Sequence, residues 1–180
     1  MKNEFASGGG AGQDAQAYQS AAREAWHAGE ATGSLRLAVT SNSMRPLLRA
    51  GDRVVVQPID PYALRPGDVI VVQRGGEWIT HRLVAVDEHG WRTHGDNACY
   101  GDEAASAAQI VGRVIAIERN DQTIDLLQPR WRVIDRRINQ VQRVQLRVLA
   151  AARAIGGTPH GLAALINWPF QLLVRMLIGV

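Results

Sequence analysis

Short β-branched runs fill the middle of the chain. They read LRLAV, DRVVVQ, DVIVVQ, EWITHRLVAV, GWRTHG, QIVGRVIAIE and QTIDLL, with glycine, proline, asparagine or aspartate between most of them. Short strands at this spacing are typical of an all-β sheet or a partly open barrel, and the tract EHG predicts a hairpin turn between two of them. The sequence therefore predicts a mainly β core over residues 34–128.

Helical periodicity replaces the strand pattern over residues 129–180. The segment RWRVIDRRINQVQRVQLRVLAAARAIG places arginine on one side of a helical wheel and valine, isoleucine and leucine on the other, which predicts an amphipathic helix of about 25 residues. Glycines and a proline break it, and the apolar segment LAALINWPFQLLVRMLIGV follows, with a polar stripe formed by Asn167, Gln171 and Arg175. That stripe favours a helix lying in a membrane interface. Two alternatives stay open: packing of both helices on the sheet or a partner, and a membrane anchor over residues 161–180.

The N-terminal part of the chain is polar. Residues 1–12 are Gly-rich and are expected to be disordered. Residues 13–33 space Tyr18, Ala22 and Trp26 by four, which predicts a short amphipathic helix that is too polar to span a bilayer. The basic segment and apolar run of a secretory signal peptide are not seen. We therefore expect the core to stay on the cytoplasmic face.

The net charge of +3 is unevenly distributed, because arginines crowd into residues 130–153, where Asp135 is the only acid. Such a stretch suits an anionic surface, either a membrane or a nucleic acid. Lys2 is the only lysine of the chain, and it lies in the tail that is expected to be disordered.

The hexapeptide SNSMRP, residues 41–46, follows the first predicted strand. A serine at a strand end, such as Ser43, can face a cleft and act as a nucleophile. Serine, asparagine and proline are also ordinary turn residues, so composition alone favours a plain loop.

The motifs around this hexapeptide together resemble the signal peptidase I family and its LexA-type relatives. Ser-x-Ser-Met-x-Pro, followed by Gly-Asp and a β-branched run, is similar to the family's nucleophile box. Further matches follow in the family's order, namely PGDVI at 66–70, THRL at 80–83, GDN at 95–97 with Asp102, and IVGRV at 110–114. The resemblance covers about residues 35–118 and implies a signal-peptidase/LexA-like β core with serine peptidase activity.

The family has a Ser-Lys version and a version with histidine in the lysine's place, which is typical of the endoplasmic reticulum and archaeal branch. Because Lys2 is remote from Ser43, the resemblance implies His81 as the general base. An imidazole with a pKa near 6.5 can accept the serine proton at neutral pH. Of the other histidines, His94 is the rival base, since it adjoins the GDN loop.

The resemblance implies the remaining site residues as well. A carboxylate on the second imidazole nitrogen fixes the tautomer, and Asp102 is expected to supply it. Asp96 is the alternative acid, or else a supporting partner or turn-former. The Ser43 backbone N–H and the Ser41 hydroxyl are expected to stabilise the oxyanion. No cofactor or metal is implied.

The sequence thus predicts a serine endopeptidase that cleaves signal- or leader-like peptides after small residues such as alanine or glycine. We expect residues 130–180 to associate with a membrane surface, and we do not expect nucleic acid as a partner. LexA-type self-cleavage is an alternative, although no helix-turn-helix segment precedes the core and the required lysine is absent. A non-catalytic peptide- or membrane-binding module on the same fold is a further alternative.

Overall fold

The computed structural model describes residues 33–98, 101–156 and 160–178, with the backbone alone at 153, 155, 156 and 160–167. The strands are β1 Leu35–Ala38, β2 Arg53–Gln57, β3 Val69–Arg74, β4 Glu77–Asp87, β5 Gly90–His94, β6 Ala104–Ala105, β7 Ile110–Arg119 and β8 Gln122–Asp125. Two helices follow, α1 Pro129–Gly156 and α2 His160–Ile178. The predicted disordered segment 1–12 and nearly all of the predicted helix 13–33 lie outside the described residues.

The strands form one antiparallel sheet in the order β1-β2-β7-β3-β4-β5-β6, with β8 beside β7. Bulges interrupt the pairing of β7 with β2 and with β3, and bulges bend a sheet. Although β1 and β4 are far apart in the strand order, they line one cleft, so the sheet curls into a half-barrel. The predicted mainly β core with two C-terminal helices is confirmed, and the EHG tract does join β4 to β5. The short β6 was not predicted, because two residues show no periodicity.

The larger apolar cluster joins the sheet to the turn that follows β1 and to α1. It contains Met44 and Leu48 of that turn, Val54 and Val71 of the sheet, and Trp131 of α1. Each such side chain contributes about 1.5–3 kcal/mol when it is fully buried. The turn is therefore anchored in the core through its apolar side chains.

Half of the buried residues of α1 are polar. Trp131, Ile138 and Leu149 are buried, but so are three polar residues, namely Asn139, Gln142 and Gln145. Three valines instead lie among the exposed arginines, namely Val133, Val144 and Val148. The prediction that α1 separates arginine from its aliphatic residues is therefore wrong for these valines.

The helix α2 packs against α1. Its Val174 is buried and its Ile178 packs on the main core, whereas Arg175 and four large apolar side chains are exposed, namely Trp168, Leu172, Leu173 and Met176. Within the described residues, neither helix is both long and apolar enough to cross a membrane. The side chain of Asn167, part of the predicted polar stripe, is outside the description.

Candidate active site

The turn after β1 presents Ser43 at the end of the strand. The Arg45 amide donates to the Asn42 carbonyl at 3.2 Å, and the Leu48 amide donates to the Met44 carbonyl at 2.9 Å. Because Met44 is buried while Ser43 is only partly buried, the turn holds its backbone in the core and leaves the hydroxyl accessible.

An ion pair fixes the chain on the far side of the turn. The Arg119 guanidinium donates to both carboxylate oxygens of Asp52, at 2.8 and 2.6 Å, and to the Leu47 carbonyl at 2.8 Å. Burial raises the pKa of the Asp52 carboxyl, but hydrogen bonds from Arg119 and from the Arg49 amide outweigh it and hold that pKa below its usual value. Arg119 of β7 therefore holds the end of the serine turn at Asp52.

His81 of β4 lies between Ser43 and Asp102. Its Nε2 is 3.0 Å from the Ser43 Oγ, and its Nδ1 is 2.5 Å from the Asp102 Oδ2. The imidazole and the carboxylate are both mostly buried, with side-chain exposures of 11% and 20%. The three side chains form a continuous hydrogen-bonded chain that opens at the serine.

Thr93 of β5 orients the Asp102 carboxylate. Its hydroxyl donates to the Asp102 Oδ2 at 2.5 Å, and the Asp102 amide donates to the Thr93 carbonyl at 3.1 Å. Arg74 approaches the same threonine hydroxyl at 3.4 Å and also binds the Glu103 carbonyl. Burial raises the pKa of Asp102, but the hydrogen bonds from His81 and Thr93 and the charge of Arg74 hold it below its usual value. The environment thus favours the carboxylate form.

Asp96 occupies a different network. Arg82 donates to its two carboxylate oxygens from Nε and Nη2 at 2.9 and 2.8 Å, and both side chains are fully buried. Asp102, rather than Asp96, is the carboxylate in hydrogen-bonding contact with His81. His94 is buried beside Arg82 in the β4–β5 register, and the contact with the Ser43 hydroxyl is made by His81.

The loop of residues 95–97 packs directly on the serine turn. The Asn97 amide donates to the Ser43 carbonyl at 2.7 Å, and the Asp96 amide donates to the Met44 sulfur at 3.4 Å. A Cβ added at Gly95 would lie 2.8 Å from the Ser43 carbonyl oxygen and 3.0 Å from the His81 Nε2. Only glycine therefore fits between the serine turn and the imidazole.

The two helices hold this loop through polar contacts. The Asp135 carboxylate of α1 accepts from the Arg82 Nη1 at 2.6 Å, and the Gln142 side-chain Nε2 donates to the Asp96 Oδ1 at 2.6 Å. From α2, the Gln171 side-chain Nε2 donates to the Asp96 backbone carbonyl. A buried ion pair needs polar partners, which explains why Asp135 and Gln142 lie on the inner face of α1.

The pKa values of Arg82 and Asp135 are both raised, which favours the charged form of the arginine and the neutral form of the aspartate. Burial lowers the pKa of Arg82, but Asp96 and Asp135 outweigh it and raise that pKa, so the guanidinium stays charged. Burial raises the pKa of Asp135 above its usual value, although Arg82 opposes the shift.

A cleft adjoins the Ser43 hydroxyl. One wall comes from β1 and the segment after it, and the other comes from residues 77–80 of β4, with Met44 and Leu48 at its base. The Ser41 hydroxyl is 3.2 Å from the Ser43 Oγ and also lines this cleft. Among the residues that the structure describes, no group of three or more metal-binding side chains is close enough together to hold a metal ion.

Sequence reasoning missed four residues that support the site, namely Arg74, Arg82, Thr93 and Gln142. Thr93 carried a weak signal of a role in the site, since it lies between Arg92 and His94 on the strand that leads into the GDN loop. Gln142 carried no signal, because its partner Asp96 is brought near only by the packing of the helix.

The family model described as Peptidase S24-like matches residues 4–115. The chain belongs to this family, and its curled antiparallel sheet agrees with that assignment. Membership supports a serine-type peptidase in general. Comparison with curated proteins and with solved structures finds no match.

Proposed function

We propose that the protein is a serine endopeptidase in which Ser43 is the nucleophile, His81 the general base and Asp102 the triad acid. The observation that carries the proposal is the hydrogen-bonded chain from the Ser43 Oγ through both imidazole nitrogens to Asp102, with distances of 3.0 and 2.5 Å. A nucleophile, a base and an orienting carboxylate in hydrogen-bonding reach are what acyl transfer by serine requires.

Acylation begins when the Ser43 oxygen attacks the carbonyl carbon of the scissile bond. The His81 Nε2 takes the hydroxyl proton, and Asp102 stabilises the resulting imidazolium through the Nδ1–H. The Ser43 amide and the Ser41 hydroxyl are the proposed donors to the oxyanion. The intermediate then collapses, the C–N bond breaks, and His81 returns the proton to the departing amine.

Deacylation uses the same groups with water as the nucleophile. His81 takes a proton from the water as its oxygen attacks the ester on Ser43. Collapse of the second intermediate breaks the ester bond and returns the proton to the Ser43 oxygen. The enzyme is regenerated with a free carboxylic acid as the second product.

The proposed substrate is a signal- or leader-like peptide in extended form. The cleft beside Ser43 supports an extended segment, because its two walls are strands and an added strand can lie along such walls. Small residues before the scissile bond follow from the resemblance to signal peptidase I alone. The geometry of the serine supports the reaction, while the resemblance supports the substrate.

A peptide library with alanine or glycine before the scissile bond tests the proposal. Wild type should cleave it, and Ser43→Ala and His81→Ala should lower kcat/KM by about 10³-fold or more. The matched controls are Ser34→Ala and His89→Ala, two exposed residues away from the site, and both should keep wild-type activity.

The same experiment separates the alternatives. A self-cleaving protein would leave the peptides intact and yield two fragments of its own chain, with both products lost in Ser43→Ala. A binding module would retain the peptides without cleaving them, and Ser43→Ala would not change that binding. Either result would overturn the proposed cleavage of separate peptides.

A further inference from the structure

The outer face of α2 is an exposed apolar surface. Trp168, Leu172, Leu173 and Met176 form it, with exposed fractions of 68%, 43%, 47% and 72%. They recur at intervals of four, one and three residues, which places them on one side of a helix. We name this set the α2 apolar face. A contiguous apolar patch of this kind marks an interaction site.

The orientation of α2 is fixed by its inner side. Gln171 binds the Asp96 carbonyl, Val174 is buried and Ile178 packs on the main core. Because these contacts hold the inner side against the protein, α2 has no freedom to turn its large apolar residues inward without losing them. The outward direction of the α2 apolar face is therefore built into the fold.

The neighbouring helix α1 presents a strongly basic outer surface. Its exposed arginines are Arg130, Arg132, Arg136, Arg137, Arg143 and Arg147, and exposed valines lie among them. The acid in this helix, Asp135, faces inward to Arg82 and does not neutralise the surface. We name this set the α1 basic face.

We propose that the α2 apolar face inserts into the interface of an anionic lipid bilayer while the α1 basic face contacts the lipid headgroups. Leucine, methionine and tryptophan favour the boundary between acyl chains and headgroups, and arginine beside them favours anionic lipid. A nucleic acid would use the arginines but would leave the apolar face in water. The proposal is independent of the peptidase reaction, and its test uses no activity measurement.

The test is cosedimentation of the full chain with vesicles of phosphatidylcholine alone or with a third of phosphatidylserine. The chain should bind the anionic vesicles, and the double variant Leu172→Gln/Met176→Gln should lower the partition coefficient about tenfold or more. The matched control is Tyr62→Gln/Val86→Gln, which changes two large side chains outside both helices that are 80% and 45% exposed, and it should bind like wild type.

Substitutions in the α1 basic face test the contribution of its charges to vesicle binding. Replacing Arg143 and Arg147 by glutamine should weaken binding to anionic vesicles about fivefold for each arginine. The matched control pair is Arg53 and Arg92, two exposed arginines on strands β2 and β5. Circular dichroism of every variant shows that the fold is retained, so that a loss of binding reports on the surface.

Three results would overturn the proposal. One is the absence of vesicle binding by wild type, and another is equal binding by the α2 double variant and its control. The third is a dimer in light scattering that Leu172→Gln/Met176→Gln dissociates without any vesicle binding, which would assign the α2 apolar face to a second copy of the chain.

Discussion

Asp102 and Thr93 share one short hydrogen bond, with the threonine hydroxyl 2.5 Å from the carboxylate oxygen that also contacts His81. That oxygen therefore accepts from two side chains at once. The arrangement holds the carboxylate in one orientation and determines where the imidazole lies. It also shows that the proposed triad depends on a fourth side chain in the neighbouring strand.

Replacing Asp102 and Asp96 separately by asparagine should distinguish an effect on catalysis from an effect on stability. Asp102→Asn should fold and lose about 10³-fold or more in kcat, because the wrong imidazole tautomer is then favoured. Asp96→Asn should lower the free energy of unfolding by about 3 kcal/mol or more, because it breaks a fully buried pair with Arg82. Denaturant unfolding and steady-state kinetics on the best library peptide measure the two effects.

Asp135→Asn is the matched control for that comparison. Asp135 also pairs with Arg82, but burial raises its pKa, so a neutral side chain is better tolerated there. We expect a smaller loss of stability than for Asp96→Asn. If Asp96→Asn instead abolished catalysis in a stable protein while Asp102→Asn stayed active, the assignment of the triad acid would be wrong.

Thr93→Val should lower kcat about three- to tenfold and leave KM nearly unchanged, since it removes one hydrogen bond to Asp102 without touching the cleft. Thr93→Ser keeps the hydroxyl and should restore most of the rate. Equal kcat values for the valine and serine variants would show that the threonine has only a packing role.

Gly95→Ala should lower kcat/KM more than about 10²-fold, because the new methyl group must displace either the Ser43 carbonyl or the imidazole. Gly101→Ala is the control, since its Cβ would meet the nearest side-chain atom, in Leu146, at an ordinary 3.6 Å. An active Gly95→Ala enzyme would mean that the serine and histidine are not held as closely as the structure places them.

The free energy of unfolding should depend on pH in the acid range, because Asp52 and Asp102 titrate there. The folded protein holds the pKa values of Asp52 and Asp102 below their usual values. Their stabilisation is therefore fully present above the unfolded pKa of about 4, and it is lost as the pH falls through the lower folded values.

The pH dependence of unfolding in Asp102→Asn tests whether this carboxylate loses its stabilising effect as the pH falls. The free energy of unfolding should fall less steeply below about pH 4 than in wild type, because one group no longer binds a proton on unfolding. Glu88→Gln controls for the removal of a carboxylate at an exposed position. Parallel wild-type and Asp102→Asn curves would contradict the lowered pKa.

The strands and the bounds of the two C-terminal helices could be predicted from the sequence, because alternation and helical periodicity are local signals. The core strands and the EHG hairpin could be predicted for that reason. The polar residues on the inner face of α1 could not be predicted, because hydrophobic periodicity assumes an apolar core. Here Asp135 and Gln142 of the helix bind the buried pair of Arg82 and Asp96. Val133, Val144 and Val148 are exposed, whereas the periodicity predicted them on the buried side of the helix.

The same reason limits what could be predicted of the site. Ser43, His81 and Asp102 each lie in a short motif that resembles one family, and the fold brings the three side chains into contact. Gln142 and Gln171 contact Asp96 although they are 46 and 75 residues away in sequence, so no local pattern could indicate these two contacts.

The most direct test of the central claim is the covalent intermediate itself. An ester analogue of the best library peptide, quenched in acid during turnover, should leave an acyl group on the peptide fragment that contains Ser43, detected by mass spectrometry. Ser43→Ala should show no adduct, whereas Ser34→Ala should show the wild-type amount. Turnover without an adduct on Ser43, or an undiminished adduct in Ser43→Ala, would contradict the proposed mechanism.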